Sequence, residues 1–504
     1  MQKFWQFLTQ RWWLVAIIAS IGAIVIALMI GATQSVWFDE SYSVILARSS
    51  WRDLFSLTAV DAHPPLYYAL LKIWGTIGGF SDLWLRTLSA IFAGGTVFLV
   101  LLLARQAFSR RVAIISAPIL MTAPFILRYG FEIRMYSLAS LIAVASTLIL
   151  FKLVKNSNGK KSKLWIFYGA LVTLGMLTLN YMVFVFVAQL IWLILQYQKN
   201  RKKTDKIWRQ NWFKALVLSV ILYLPWAPFA VGQWLNSVSS GVATAFGTSE
   251  LVTVFSFGLV YTPEFWLSKF TSAVVIVAAI LIIYLNIKTW RDHKKYQPIL
   301  QLLLLIFITP FVIMMLLSLI LSDGFFIERY MAHFIWVGYL LLGVVVAVNI
   351  LNAKVLKQKI VAGAAYLFLI SVLINGVISL ANFGNYNFQR MQENNMQEIV
   401  KKIGNCQDGQ KIVVDDVYKY MEILHYLPNC SSLYFYSPWD IEFRGGFAPV
   451  SNDPQRIVDQ KFDTPKLIVI RLKDRSHFEI PHNFELKSVI DKYDIINIEF
   501  YEKR

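Results

Sequence analysis

Charged residues are scarce in this sequence. Asp, Glu, Lys and Arg make up only 15% of its 504 residues, while 57% are hydrophobic and the mean hydropathy is +0.54. Soluble domains carry about 25% charged residues, so this composition excludes an ordinary soluble protein and predicts a polytopic membrane protein. Cysteine is also scarce: Cys406 and Cys430 are the whole complement, and their spacing does not suggest a metal-binding cluster.

Acidic residues are the rarer of the two charge types, which gives 30 Asp and Glu against 48 Lys and Arg and a net charge of +18. An excess of basic over acidic residues can indicate nucleic-acid binding. Here, however, the Lys and Arg residues cluster in short links between apolar runs, as the positive-inside rule describes. The distribution therefore favours a membrane protein with no nucleic-acid partner.

Long apolar runs are abundant, and their length matches the roughly 17–22 residues that a helix needs to cross ~30 Å of hydrocarbon. They predict a polytopic α-helical membrane protein with about eleven transmembrane helices, at residues 12–33, 83–104, 112–128, 135–154, 164–179, 181–198, 213–231, 268–289, 298–320, 331–350 and 360–381. Alternate links are rich in Lys and Arg, which predicts that their side is cytoplasmic. The first outer loop, 34–82, and the tail, 382–504, then lie on the opposite side.

Two domains are predicted: a transmembrane domain at 1–381 and an extracytoplasmic α/β domain at 382–504. In the first outer loop, Ser41–Thr58 and Leu66–Phe80 have the apolar spacing of amphipathic helices in the membrane interface. Cys406 and Cys430 either form a disulfide, which an oxidising compartment permits, or remain two thiols. In the tail, strands are predicted at Val413-Val414, Leu433–Tyr436, Leu467–Ile470 and Ile496–Tyr501, and helices at Met391–Lys402 and Val417–Tyr426.

Ionisable residues are nearly missing from the centres of the spans and collect at their outer ends instead. A transporter more often needs polar residues near the midplane, so this pattern favours an enzyme at the external face. The residues concerned are Asp39, Glu40, Asp61, His63, Arg86, Arg128, Glu132, Arg134, Asp323, Glu328, Arg329 and His333.

Asp39 and Glu40 follow the first span directly. Asp39 is a helix cap, a topology marker at the end of the first span, or a general base that Glu40 helps to position. The two neighbouring carboxylates also make a divalent metal possible. Asp61 either caps the helix that Pro64-Pro65 begin, or lines a cavity with His63 and holds a phosphate or sugar hydroxyl. His63 could do so as a cation or as a hydrogen-bond donor.

The corner from Arg128 to Tyr136 contains two Arg, one Glu and two Tyr. Arg128 and Glu132 are spaced for a helix ion pair. Alternatively, both arginines, Arg128 and Arg134, form a clamp for phosphate and sugar with Glu132 and Tyr136, because Arg suits phosphate geometry.

Arg86, at the outer start of a span, either extends to the interface or binds the substrate, and the same choice applies to Arg329 with Tyr330. Tyr67 and Tyr68 are predicted to belong to the interfacial aromatic belt rather than to a sugar platform.

Taken in order, these motifs resemble the GT-C membrane glycosyltransferases, and most nearly glycosyltransferase family 39, which includes protein mannosyltransferases and aminoarabinose lipid A transferases. The resemblance covers roughly the first 340 residues and differs at Asn180-Tyr181, where many relatives have His-Tyr, and at His63, where the aminoarabinose transferases tend to have Lys. It rests on Asp39-Glu40, Asp61-Ala62-His63-Pro64-Pro65-Leu66-Tyr67-Tyr68, Leu85-Arg86-Thr87-Leu88-Ser89-Ala90, Glu132-Ile133-Arg134-Met135-Tyr136 and Leu224-Pro225-Trp226.

The resemblance implies transfer of a sugar from a polyprenyl-phosphate donor to a lipid, envelope-glycan or protein acceptor outside the cytoplasm, usually with inversion. Asp39 would be the catalytic base, with Glu40 beside it. His63, Arg86, Arg134 and Arg329 would hold the donor phosphate or sugar. The implied location is the cell membrane, with the active site and tail facing the periplasm or exterior.

Chemistry supports the same scheme. An acceptor hydroxyl needs a carboxylate within ~3 Å to take its proton. A departing lipid phosphate is already an anion, so Arg or Lys suffices and no cofactor is required, although Glu40 and Asp61 would permit a metal. The alternatives are a lipid or polysaccharide transporter and a non-catalytic membrane scaffold.

Overall fold

The computed structural model divides the chain into two compact units. The first comprises Met1–Met29, His63–Tyr67 and Arg86–Ala381, and the second comprises Ile30–Ala62, Tyr68–Leu85 and Asn382–Arg504. The structure describes residues 2–155, 162–200, 206–239, 256–261, 280, 287, 289–321, 327–383, 395–404, 406–437, 445–450, 453–457, 462–473, 476–491 and 496–504.

The first unit is helical. Short 3₁₀ turns at Ile207–Arg209, Lys294–Tyr296 and Glu328–Met331 precede three of its helices. The α-helices run over Gln2–Gln10, Trp12–Gly31, Asp82–Ala107, Arg110–Met121, Pro124–Phe131, Tyr136–Lys155, Ser162–Met176, Met182–Asn200, Asn211–Tyr223, Ala227–Ser239, Gln297–Leu321, Ala332–Asn352 and Leu356–Phe383.

Among the described residues, seven helices are long and apolar enough to cross a membrane, or up to nine if each of two bent pairs forms one span. A further apolar helix, Lys163–Met176, is shorter. The predicted span 268–289 lies almost wholly outside the described residues. The membrane-spanning helical architecture is therefore confirmed, while the count of eleven stays a prediction.

Two predicted spans are bent rather than continuous. The span predicted at 112–128 consists of Arg110–Met121 and Pro124–Phe131, which meet at 57°. The span predicted at 213–231 is bent by 79° between Tyr223 and Ala227. Proline explains both bends, because Pro124 and Pro225 lack an N–H for the helical ladder and disfavour helical geometry in the preceding residue.

Small residues allow the helix that carries Arg128 to approach its neighbours closely. A Cβ added to Gly130 would lie 3.1 Å from the Cβ atoms of both Ala27 and Ala93. Gly94 similarly approaches the backbone carbonyl of Ser20. Such contacts between small residues are the usual basis of close helix packing in membranes. They bring Pro124–Phe131 against the helices Trp12–Gly31 and Asp82–Ala107.

The second unit combines the first outer loop with the tail. The predicted helix Ser41–Thr58 is wrong in one respect, because it is two helices, Phe38–Arg48 and Trp51–Val60. The break occurs at Ser50, whose hydroxyl accepts the Asp53 backbone N–H at 3.1 Å and so caps the second helix. A third helix, Leu66–Gly78, begins directly after Pro64-Pro65, as predicted.

The tail forms a six-stranded mixed sheet in the order β3-β2-β1-β4-β6-β5. Strands β1, β2, β3 and β4 pair in parallel, whereas β6 pairs antiparallel with both β4 and β5. Helices Met396–Ile403 and Val417–Tyr426 and a 3₁₀ turn, Gly445–Val450, complete the domain. The strands are Gln410–Val414, Leu433–Tyr436, Arg456–Ile457, Lys466–Leu472, Phe484–Ile490 and Ile496–Lys503, numbered β1 to β6.

The four predicted strands are confirmed as β1, β2, β4 and β6, and the helix Val417–Tyr426 is confirmed at both ends. A helix is predicted to begin at Met391, and the structure has it begin at Met396. The Asn395 side chain caps it by accepting the Glu398 N–H. Residues 391–394 lie outside the described residues. Cys406 and Cys430 form a disulfide with a Cα–Cα distance of 5.7 Å, so the paired alternative is confirmed.

Candidate active site

The ten predicted site residues divide between the two units. Three belong to the second unit: Asp39, Glu40 and Asp61. All ten are buried except Asp39 and Arg329, which are half-buried. The first unit contains His63, Arg86, Glu132, Arg134, Tyr136, Arg329 and Tyr330.

His63 lies beside two guanidinium groups in the first unit. Burial lowers the pKa of its imidazole well below the usual value, and the positive charges of Arg134 and Arg329 lower that pKa further. His63 is therefore neutral at pH 7. A neutral imidazole can donate one hydrogen bond, while the role of His63 toward a substrate stays a prediction.

An aromatic stack lies next to this imidazole. The ring of Tyr181 stacks between Tyr330, at 4.1 Å between centroids, and Trp234, at 5.5 Å. His63 contacts Tyr330 edge-on at 6.2 Å. Stacked and edge-on aromatic contacts contribute about 0.5–1.5 kcal/mol beyond area burial. The stack thus fixes the position of Tyr330, the residue after Arg329.

Two amide side chains hold the backbone at His63. The fully buried Gln233 donates its amide N–H to the His63 carbonyl at 3.1 Å. Asn180 in turn donates to Gln233 Oε1 at 3.1 Å. Sequence reasoning missed Gln233 and Trp234 because they lie just beyond the predicted end of a span at residue 231. The amide side chain of Gln233, in an otherwise apolar stretch, was the only signal in the sequence that could have indicated its role.

The corner after Phe131 is tied to the helix that carries Arg86. Arg128 and Glu132 form an ion pair at 3.0 Å, as their spacing predicted. The Ser89 hydroxyl, one turn after Arg86, approaches the Arg134 carbonyl at 3.5 Å. Arg86, Arg134 and Arg329 are the guanidinium groups predicted to bind the substrate, and Arg134 belongs to this corner.

Burial settles two alternatives that the sequence left open. Arg86 is only 1% exposed, so it does not extend to the interface. Tyr67 and Tyr68 are fully buried, so the prediction that they belong to an aromatic belt is wrong. The Tyr67 hydroxyl lies 3.0 Å from the Ser89 hydroxyl. A hydrogen-bond partner inside the protein offsets the cost of burying the Tyr67 hydroxyl.

In the second unit, Asp39 and Glu40 lie in the first turn of the helix Phe38–Arg48. Glu40 is 1% exposed and accepts the Trp37 backbone N–H at 3.3 Å. Trp37 occupies the N-cap position, so the alternative in which Asp39 is the cap is wrong. A helix N-terminus favours negative charge, which suits two carboxylates in its first turn.

The tail helix Val417–Tyr426 contacts the N-terminal end of the helix Phe38–Arg48. The Tyr426 hydroxyl accepts the Val36 N–H at 2.8 Å, and Glu422 accepts the Phe38 N–H. The ring of Tyr418 packs edge-on against Phe38 at 4.5 Å. Burial raises the pKa of Tyr418, and the negative charges of Asp416 and Asp39 raise it further.

Asp61 is the C-cap residue of the helix Trp51–Val60, not the N-cap of the following helix. Its carboxylate accepts the Tyr68 hydroxyl at 3.5 Å, and Tyr68 contacts Tyr42 edge-on at 5.9 Å. The predicted capping role toward the helix Leu66–Gly78 is therefore wrong, while the substrate-binding role stays a prediction. Within the described part of the chain, no three His, Cys, Asp or Glu side chains are grouped to hold a metal ion.

Comparisons with known proteins agree with this architecture. The sequence profile of the family described as dolichyl-phosphate-mannose-protein mannosyltransferase matches residues 62–229, about one third of the chain. No curated protein sequence matches significantly.

Two solved structures of ArnT from Cupriavidus metallidurans are similar over nearly the whole length. The apo structure has a TM-score of 0.64 at 11% identity and covers 97% of both chains. The structure bound to undecaprenyl phosphate has a TM-score of 0.64 at 12% identity and covers 97% of this chain and 98% of that one. The chain therefore has the fold of ArnT, a GT-C-like membrane fold followed by a β-containing C-terminal domain, and it resembles the GT-C glycosyltransferases.

Proposed function

We propose that the protein is an integral membrane glycosyltransferase that moves a sugar from a polyprenyl-phosphate donor to an extracytoplasmic acceptor. The observation that carries this proposal is the proximity of buried His63 to the guanidinium groups of buried Arg134 and half-buried Arg329, in a chain with an ArnT-like fold. Ionisable side chains near membrane spans indicate a functional site, and guanidinium groups suit an anionic ligand in charge and geometry.

The donor phosphate would be held by Arg134 and Arg329, with Arg86 contributing from the neighbouring helix. Guanidinium groups match the oxygens of a phosphate in charge and geometry. A neutral imidazole at His63 can donate one hydrogen bond to the phosphate or to a sugar hydroxyl. The aromatic stack at Tyr330 offers an apolar surface beside these donors. The relative that was solved with undecaprenyl phosphate supports a lipid-linked donor.

Asp39 would act as the general base. Its carboxylate takes the proton of the acceptor hydroxyl, whose oxygen attacks the anomeric carbon of the sugar. The bond from that carbon to the phosphate oxygen breaks, and the polyprenyl phosphate leaves with the electron pair, so the configuration inverts. Glu40 positions Asp39 by fixing the start of the helix through the Trp37 N–H. The scheme requires no cofactor.

The reaction would take place on the periplasmic or external side of the cell membrane. The Cys406–Cys430 disulfide supports this placement of the tail, because disulfides persist in oxidising compartments. The acceptor class is a lipid, an envelope glycan or a protein.

A transfer assay tests the proposal. Purified full-length protein is given a panel of radiolabelled polyprenyl-phosphate sugars together with a crude membrane fraction as acceptor. Transfer of label from one donor, dependent on the protein, is the expected result and identifies the sugar. Folded protein that transfers label from no donor in the panel would contradict the proposal and favour a transporter or scaffold.

A further inference from the structure

The backbone carbonyl of His63 needs a hydrogen-bond partner from elsewhere in the fold. His63 precedes the helix Leu66–Gly78, so its carbonyl oxygen lies before the first turn of that helix. The two residues between them, Pro64 and Pro65, have no backbone N–H to donate. His63 is buried, and buried carbonyl groups in proteins are normally paired. The side-chain amide of Gln233 supplies the donor at 3.1 Å.

Gln233 uses both ends of its amide. Its nitrogen donates to the His63 carbonyl, and its oxygen accepts the Asn180 side-chain N–H at 3.1 Å. A carbonyl oxygen can only accept, so the Gln233 nitrogen must face His63 and the Gln233 oxygen must face Asn180. Gln233 is fully buried and Asn180 is buried too, so both hydrogen bonds are formed away from water. The orientation of the Gln233 amide is therefore fixed at both ends.

A backbone hydrogen bond holds the same segment beyond the two prolines. The Leu66 N–H donates to the Leu177 carbonyl at 3.0 Å. Asn180 belongs to the same turn of the chain as Leu177, three residues further on. This turn therefore holds the segment at both ends, directly at Leu66 and through Gln233 at His63. The prolines between these two points have a fixed φ, which keeps the segment stiff.

The helix that carries Gln233 also contacts the aromatic stack. Trp234, the next residue, stacks on Tyr181 at 5.5 Å, and Tyr181 stacks on Tyr330 at 4.1 Å. The imidazole of His63 contacts Tyr330 edge-on. Two adjacent residues, Gln233 and Trp234, thus support the backbone of His63 and the ring beside its imidazole.

We infer that Gln233 is a positioning residue of the donor site and acts through His63. The inference rests on the proposed function, because His63 lies beside Arg134 and Arg329, which are assigned there to the donor phosphate. By holding the His63 carbonyl, Gln233 sets the position from which the imidazole donates a hydrogen bond to the phosphate or to a sugar hydroxyl. Hydrogen bonds weaken steeply away from their preferred geometry, so an imidazole that is not held in place binds the donor less tightly.

Titration of the full-length protein in detergent with undecaprenyl phosphate tests the inference. Gln233→Met keeps the length of the side chain and removes both hydrogen bonds, so it should weaken binding about 3- to 10-fold. Because Gln233 acts through His63, this loss should not exceed that of His63→Ala. In a protein that already carries His63→Ala, adding Gln233→Met should change the affinity by less than about twofold.

Gln189→Met is the matched control. Gln189 is another fully buried glutamine of the first unit. Its oxygen accepts the Tyr168 hydroxyl at 2.9 Å, and its nitrogen donates to the hydroxyls of Ser146 and Thr147 at 3.0 Å. Since three hydrogen bonds are removed, this variant should lower the unfolding temperature at least as much as Gln233→Met. Its affinity for undecaprenyl phosphate should stay within about twofold of wild type, which separates a loss of stability from a loss of positioning.

Asn180→Ala gives the same test if Gln233→Met does not fold. It keeps the donor to His63 and removes the group that holds the Gln233 oxygen, so it should weaken binding by a smaller factor, about 2- to 3-fold. This loss should also disappear in the His63→Ala background.

The double variants decide the outcome. Equal weakening by Gln233→Met with and without the His63 imidazole would show that Gln233 does not act through His63, and would overturn the inference. Unchanged affinity in Gln233→Met would do the same while leaving the proposed function intact. If wild type does not bind undecaprenyl phosphate, or if His63→Ala binds it as tightly as wild type, the proposed donor site itself is wrong and the inference is overturned with it.

Discussion

The two units stabilise buried ionisable groups in different ways. In the first unit, His63 and the arginines lie among aromatic rings and amide side chains contributed by several helices. In the second unit, Asp39 and Glu40 lie at one helix N-terminus, whose backbone N–H groups donate to side chains of the tail helix Val417–Tyr426. The positions of His63, Arg134 and Arg329, called here the cation cluster, thus depend on side-chain packing. The positions of Asp39 and Glu40 depend on where the helix Phe38–Arg48 begins.

This difference bears on function. A cluster built from rings and guanidinium groups suits a ligand that is bound and released as an anion. A carboxylate oxygen can accept a proton, and the start of the helix Phe38–Arg48 fixes the position of Asp39. We therefore expect substitutions in the first unit to change donor binding and those at Asp39 to change the chemical step.

The largest effect is expected from Asp39→Asn. Removing a general base should lower the transfer rate about 10²–10⁴-fold while the fold is retained, because Asn preserves the size of the side chain. Initial rates of label transfer at saturating donor measure the effect. Asp408→Asn, at an exposed position of the tail, is the matched control. Substantial residual activity in the Asp39 variant would exclude this residue as the base.

Removal of the disulfide should affect the second unit alone. Cys406→Ser with Cys430→Ser opens a link with a sequence separation of 24 and should destabilise the tail by about 3.5 kcal/mol. Hydrogen exchange of the β1 and β2 amides in the full-length protein should become faster. Reducing the wild-type protein should reproduce the change. Unaltered exchange in those strands would show that the bond adds no stability.

The aromatic stack predicts a smaller effect on binding. Tyr330→Leu removes the contact with Tyr181, and should weaken binding of a polyprenyl-phosphate donor about 2- to 10-fold. Tyr330→Phe keeps the ring and serves as the control. A dissociation constant from titration with labelled donor measures both. Equal losses in the two variants would assign the effect to the hydroxyl instead of to stacking.

The smallest effect is a pH dependence from His63. The pKa of this residue is lower in the folded than in the unfolded chain, whose usual value is about 6.5. The folded state therefore binds fewer protons, so the stability contributed by neutral His63 is present above pH 6.5 and is lost as pH falls below it. His63→Gln should flatten the decline of the unfolding temperature between pH 7 and pH 5. The exposed His482, changed in the same way, should leave the decline unaltered.

Much of the fold was predictable because its signals are local. Apolar runs indicate the membrane helices, and alternating residues indicate β1, β2, β4 and β6. Strand β5 was missed because five of the seven residues in Phe484–Ile490 are exposed, so no alternation of buried and exposed residues marks it. The break at Ser50 was missed because the apolar periodicity continues through a residue that caps a new helix.

The charged residues of the site could be predicted from the sequence, whereas the residues that hold them in position could not. Arg134, Arg329 and His63 stand out because charge is rare near membrane spans. Gln233 and Trp234 are ordinary residues in an apolar stretch, and they meet His63 and Tyr181 only after the bend at Pro225. Likewise, Tyr426 reaches Val36 across 390 residues of sequence, a distance over which local patterns carry no information.

The most direct test of the division of roles is donor affinity. Binding of polyprenyl phosphate to the full-length protein is titrated for wild type, Arg134→Ala and Asp39→Asn. Loss of charged hydrogen bonds at Arg134 should raise the dissociation constant about 10- to 100-fold, whereas Asp39→Asn should leave it within about twofold of wild type. Equal weakening by both variants, or no weakening by Arg134→Ala, would contradict the assignment of donor binding to the cation cluster and of proton transfer to Asp39.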